Sequence, residues 1–121
     1  MKRNFDLDDR LINFAVAVIE VSESLPKTFA GGHIAGQLVR SGISPALNYG
    51  EAQSAESRND FIHKMKISAK ELRETYNCLR IIDEKKWYSE EKLLPVLDEN
   101  NQLISIFVKS IETAKKNNEI K

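Results

Sequence analysis

Between Asn59 and Arg80, seven polar residues fall at alternating steps of four and three: Asn59, His63, Lys66, Lys70, Arg73, Asn77 and Arg80. That spacing carries them along one stripe of an α-helix. Four of the seven are Lys or Arg, which meet phosphate oxygens as a point charge or a planar fork. From Arg58 to Arg80, six basic residues stand against three acidic ones, Asp60, Glu71 and Glu74. Such a stripe can neutralise a nucleic-acid backbone. The same residues can equally form a solvated face laced by ion pairs four residues apart, such as Lys70 with Glu74.

Other chemistry finds less support. Glu71-x-x-Glu74, with Glu51 as a third carboxylate, is spaced to converge on one Mg²⁺. No Gly-rich phosphate loop or further acidic cluster accompanies it, so a Mg-dependent nucleotide hydrolase ranks last. Asp60-x-x-His63 is one copy of a pair that a di-iron bundle needs twice, and His33 lacks that context. Cys78, the single cysteine, cannot close an intrachain disulfide and has no ligand partner at metal spacing. No Ser or Cys has an identifiable His base. The expectation is therefore a protein that is not an enzyme, with no catalytic residue, no metal and no cofactor. Asn48 and Glu51 follow closely on Pro45, whose missing amide leaves the Ser41 carbonyl without its helical donor. Their expected role is structural, bonding backbone groups freed at that proline.

These residues must be positioned by the elements of one domain, because 121 residues (1–121) suffice for one core and not two. Lys+Arg 18 against Asp+Glu 18 gives a charge of +0, which excludes a uniformly polybasic nucleic-acid coat and makes any basic surface local. At 41% hydrophobic and 30% charged, the chain fits neither a disordered nor a membrane protein. The periodicity predicts four helices. The first runs from about Asp8 to Ser24, capped by Asp6 or Asp8 and ended by Pro26. A second, rich in small residues, covers about Phe29 to Glu56, with a kink or restart expected at Gly42-Ile43-Ser44-Pro45. Ser57 opens the third with a capping box and it extends to about Asp83, with a core seam of Phe61, Met65, Ala69, Leu72, Tyr76 and Leu79. Ser89 opens the fourth, whose seam is Leu93, Leu97, Asn100, Ile104, Phe107, Ile111 and Ala114 and which reaches about Lys116 before a frayed tail. The predicted fold class is all-α, an antiparallel up-down-up-down four-helix bundle with a kinked second helix.

Helices one and four carry more apolar positions than one interior can cover, Phe14, Val16, Ala17 and Val21 in the first and Leu94, Val96, Leu103, Ile106 and Val108 in the fourth. The excess predicts a homo-oligomer. After the basic start Met1-Lys2-Arg3 come Asp6, Asp8 and Asp9 and no small-residue cleavage site, so no signal peptide is read. Leu11 to Ile19, the longest apolar-rich run, is too short to span a membrane. With the lone cysteine, this predicts a cytoplasmic protein without a membrane partner.

Three stretches carry a family likeness: Gln37-Leu38-Val39-Arg40-Ser41-Gly42-Ile43-Ser44-Pro45-Ala46-Leu47-Asn48-Tyr49-Gly50-Glu51-Ala52, then Glu56-Ser57-Arg58-Asn59-Asp60-Phe61-Ile62-His63-Lys64-Met65, then Lys70-Glu71-Leu72-Arg73-Glu74-Thr75. Together they resemble the bacterial four-helix bundles called 23S rRNA intervening-sequence proteins, some of which carry ribosomal-protein labels. The resemblance implies a homopentameric barrel and brings no catalytic residue. The same fold resembles the accessory protein of diversity-generating retroelements, where a basic pentamer binds nucleic acid and a reverse transcriptase. By that analogy the contacts to RNA or DNA would be Arg40, Lys66, Lys70, Arg73 and Arg80, although Val39-Arg40 stands where many relatives have paired basic residues. The alternative function is a protein–protein interaction scaffold that binds no nucleic acid.

Overall fold

The computed structural model describes residues 6–120, with side chains as far as Asn117. The basic start Met1-Lys2-Arg3 and the final Lys121 lie outside the described residues. Four helices follow in order, α1 (Leu7–Glu23), α2 (Phe29–Gln53), α3 (Arg58–Lys85) and α4 (Glu90–Ile120), and the described residues contain no strand. Each begins at a short polar side chain that accepts a hydrogen bond from the first turn: Asp6 from the Asp8 amide, Thr28 from Gly31, Ser57 from Asp60 and Ser89 from Lys92. A cap of this kind stabilises a helix by about 1 kcal/mol. α3 stops where Lys86 turns left-handed (φ 55°), its amide bonding the Asp83 carbonyl while the Trp87 amide bonds Ile82. A glycine usually takes that position. α4 continues through the expected frayed tail as far as Ile120.

α2 does not break or restart. It runs unbroken through Pro45, whose ring is buried, and Gly42 is neither a stop nor left-handed. Gly42 instead lets α1 approach: a Cβ there would lie 2.5 Å from Val18 Cγ1. An interior proline costs a helix about 3 kcal/mol by itself, so tertiary packing of the buried Pro45 has to offset it.

Each helix packs on the next, α2 with α3 most extensively, while α1 and α4 touch least. The core is built from Leu11, Phe14 and Val18 of α1, Leu38 of α2, Met65, Leu72 and Leu79 of α3, and Leu93, Leu103 and Phe107 of α4. Full burial of one such side chain stabilises by about 2 kcal/mol. Tyr49 reaches across from α2 to meet Phe107 edge-on at 5.9 Å. The slight α1–α4 seam is held by Arg10, which donates to both Glu99 oxygens at 2.9 and 2.7 Å and to Gln102 at 3.0 Å. The Glu99 hydrogen bond, more than its charge, raises the Arg10 pKa further above its ordinary value against a smaller cost of burial.

Of the apolar excess expected on α1 and α4, Val16 and Leu94 are about half exposed, Ala17, Val96, Ile106 and Val108 are half-buried, and Phe14, Val21 and Leu103 are buried; Ile12 is open as well. On α2, Phe29 (92% exposed) and Leu47 (64%) are the most open large apolar residues among the described residues.

Candidate nucleic-acid interface

The stripe read from the sequence lies on α3, and all seven of its residues are exposed. Their positions follow from what the helix buries instead. Ile62, Met65, Ala69, Leu72, Leu79 and Ile82 face the core, joined by Ser68, Thr75 and Cys78. Small polar residues can be buried there because they bond locally: Ser68 donates to the Lys64 carbonyl at 3.2 Å and Thr75 to Glu71 at 2.8 Å. The Thr75 hydroxyl also meets Ser41 Oγ at 2.8 Å, a buried link between α3 and α2. Phe61 and Tyr76, expected in the α3 seam, are only half-buried.

Arg40 and the two glutamates decide the electrostatics. Arg40 reaches from α2 to Glu71 (3.1 Å) and Glu74 (2.8 Å), and Gln37 donates to the same Glu74 oxygen at 3.4 Å. The Glu74 hydrogen bond and then the Glu71 charge raise the Arg40 pKa above its ordinary value. Arg40 is thus a cross-helix clamp whose guanidinium is already occupied by carboxylates, which separates it from the other proposed phosphate contacts. The pairing of Lys70 with Glu74 does not form, because Glu74 faces α2. Lys66, Lys70, Arg73 and Arg80 have no ion pair among the described residues.

The same clamp overturns the placement of Glu51 beside Glu71 and Glu74. Glu51 is exposed and pairs with Lys64 at 3.5 Å, and Lys64 also approaches Asp60 at 3.7 Å. Lys64 precedes Glu71 by seven residues, about 10 Å of helix rise. Glu71 and Glu74 converge on a guanidinium rather than on a shared cation position, and no cluster of three or more His, Cys, Asp or Glu is found among the described residues. Asn48 is half-buried and donates to Ser44, at the carbonyl (3.2 Å) and the hydroxyl (2.8 Å), and not to the Ser41 carbonyl. It braces the turn holding Pro45 without serving the carbonyl that the proline leaves free.

One polar residue had a legible position and an unforeseen role. Asn100, on the apolar seam of α4, is fully buried; its Nδ2 donates to the Leu72 carbonyl of α3 at 3.0 Å, and no described group pairs with its Oδ1. Cys78 is also buried, and loss of solvent, with the Glu74 charge adding to it and Arg40 opposing, pushes its thiol pKa up. That is the reverse of an activated nucleophile. A surface cleft of about 630 Å³ between the start of α3 and the end of α4 is lined by Arg58, Phe61, Ser110, Thr113, Ala114 and Asn117, with no acid, histidine or thiol. No described helix is long and apolar enough to cross a membrane.

Comparison with known proteins gives a consistent setting. Residues 3–109 match the family described as 23S rRNA-intervening sequence protein. A solved structure of a protein of unknown function from the S23 ribosomal protein family of Bacteroides thetaiotaomicron is similar at a TM-score of 0.79 and 27% identity, covering 86% of this chain and 96% of that one. No curated protein matches. Neither the family description nor that of the solved structure names an enzymatic activity.

Proposed function

The chain belongs to the 23S rRNA-intervening sequence protein family, and from that premise we propose that it is a non-enzymatic, self-associating bundle that binds RNA or DNA through the outward stripe of α3. The observation that carries this reading is the capture of Glu71 and Glu74 by Arg40, while Lys66, Lys70, Arg73 and Arg80 have no ion pair among the described residues. Unpaired cations in a line exchange condensed counterions for protein contacts when they meet a phosphate backbone. Both family descriptions refer to the ribosome or its RNA, which makes structured RNA the first ligand to try.

The helices are proposed to run antiparallel, up-down-up-down, consistent with the short connections and with Arg40 meeting Glu74 while Glu51, later on α2, meets Lys64, earlier on α3. Five copies are proposed to close into a barrel in the cytoplasm. Open Ile12, Val16, Phe29, Leu47 and Leu94 supply apolar surface for that assembly. They also favour a second reading, a protein scaffold with no nucleic-acid role.

A fluorescence-anisotropy titration against structured RNA tests the first reading. Wild-type protein is expected to bind saturably and to weaken with salt, and Lys66→Glu with Arg73→Glu to cost at least ~100-fold. Light scattering should return five times 13.8 kDa for both proteins. Equal affinity of the two proteins would refute the stripe, and an absence of binding at low salt would leave the scaffold.

A further inference from the structure

The same stripe shows which physical form of nucleic acid it suits, an inference that rests on the reading just given. Lys66, Arg73 and Arg80 recur every seven residues, so successive cations stand about 10.5 Å apart and the line spans about 21 Å of a rigid helix. That step is comparable to the ~12 Å major groove of B-form DNA, letting neighbouring cations reach phosphates on opposite sides of a groove. α3 packs on both α2 and α4, so it can lie across a groove but cannot enter it as a free recognition helix.

What the stripe lacks is a ring for bases to stack on. The aromatic residues of α3, Phe61 and Tyr76, are half-buried; Phe61 packs on the core and the Tyr76 hydroxyl accepts a bond from Asn101 at 3.4 Å. Among the described residues the fully open ring, Phe29, belongs to α2. Single strands gain much of their affinity by stacking bases on exposed aromatics. A double helix hides its bases and offers ordered phosphates. We infer that the α3 stripe binds double-helical nucleic acid through its phosphates, without reading sequence, in preference to single strands.

The test is anisotropy with DNA and RNA duplexes of about 20 base pairs in two unrelated sequences, beside their separate strands, at about 50 mM salt. Unrelated duplexes of one kind are expected to bind within about 3-fold of each other, and single strands at least ~10-fold more weakly. Arg80→Gln should lower the steepness of log affinity against log salt by about one. Single strands bound as tightly as duplexes, or a sequence preference above about 10-fold, would overturn the duplex inference while leaving the stripe in place. Failure of the stripe itself is read separately, as unchanged duplex affinity in Lys66→Glu with Arg73→Glu.

Discussion

α3 treats its polar groups oppositely on its two sides. Toward the bundle, Thr75 meets Ser41, the Leu72 carbonyl meets Asn100, and Glu71 and Glu74 meet Arg40. Toward solvent, Lys66, Lys70, Arg73 and Arg80 have no ion pair among the described residues. A chain of net charge +0 thus gains a basic face by directing acids inward across a helix seam, without an excess of base. The competition is between a pair within one helix, Lys70 with Glu74, and a forked pair between helices, Arg40 with Glu71 and Glu74. The second wins because a guanidinium can bond two carboxylates at once.

Substitutions at the buried inner positions Asn100 and Cys78 should change stability and leave the binding of folded protein intact. The largest such effect is expected for Asn100→Asp, which places a carboxylate in a fully buried position facing the Leu72 carbonyl. At neutral pH a loss of about 3 kcal/mol is expected in urea denaturation, shrinking as acid protonates the new group. An unchanged midpoint would mean that this seam admits water and is not the closed side described here.

A smaller effect concerns Cys78. Burial raises its pKa in the folded protein, so the fold favours the neutral thiol while the unfolded chain ionises near about 8.5. The contribution to stability is complete below that pH and declines as pH rises through it. Cys78→Ala should therefore flatten the alkaline fall of the denaturation midpoint. An identical fall in both proteins would place the thiol in contact with solvent.

Local chemistry was legible in the sequence where a residue acts on its own turn. Ser57 and Ser89 cap the helices they were expected to cap, and the stripe from Asn59 to Arg80 falls on one exposed face. What depended on a neighbouring helix was not legible. The Gly42-Pro45 stretch reads locally as a stop and restart, but Val18 fills the space above Gly42 and the proline ring is buried, so α2 continues. Arg40 reads as one more phosphate contact until the α2–α3 register sets it against two glutamates. Asn100 could be placed on its seam, while its acceptor, a backbone carbonyl of α3, leaves no mark in side-chain pattern.

The most direct measurement is duplex affinity at low salt for Arg40→Ala, and for Arg40→Ala combined with Glu74→Gln. Removing the clamp frees Glu74 to pair with Lys70 on its own helix. The single variant should bind about 3- to 10-fold more weakly, and Glu74→Gln should restore most of that loss. If Arg40→Ala leaves affinity unchanged, or if its loss is not recovered by Glu74→Gln, then the inward capture of the acids is not what makes the outer face of α3 basic.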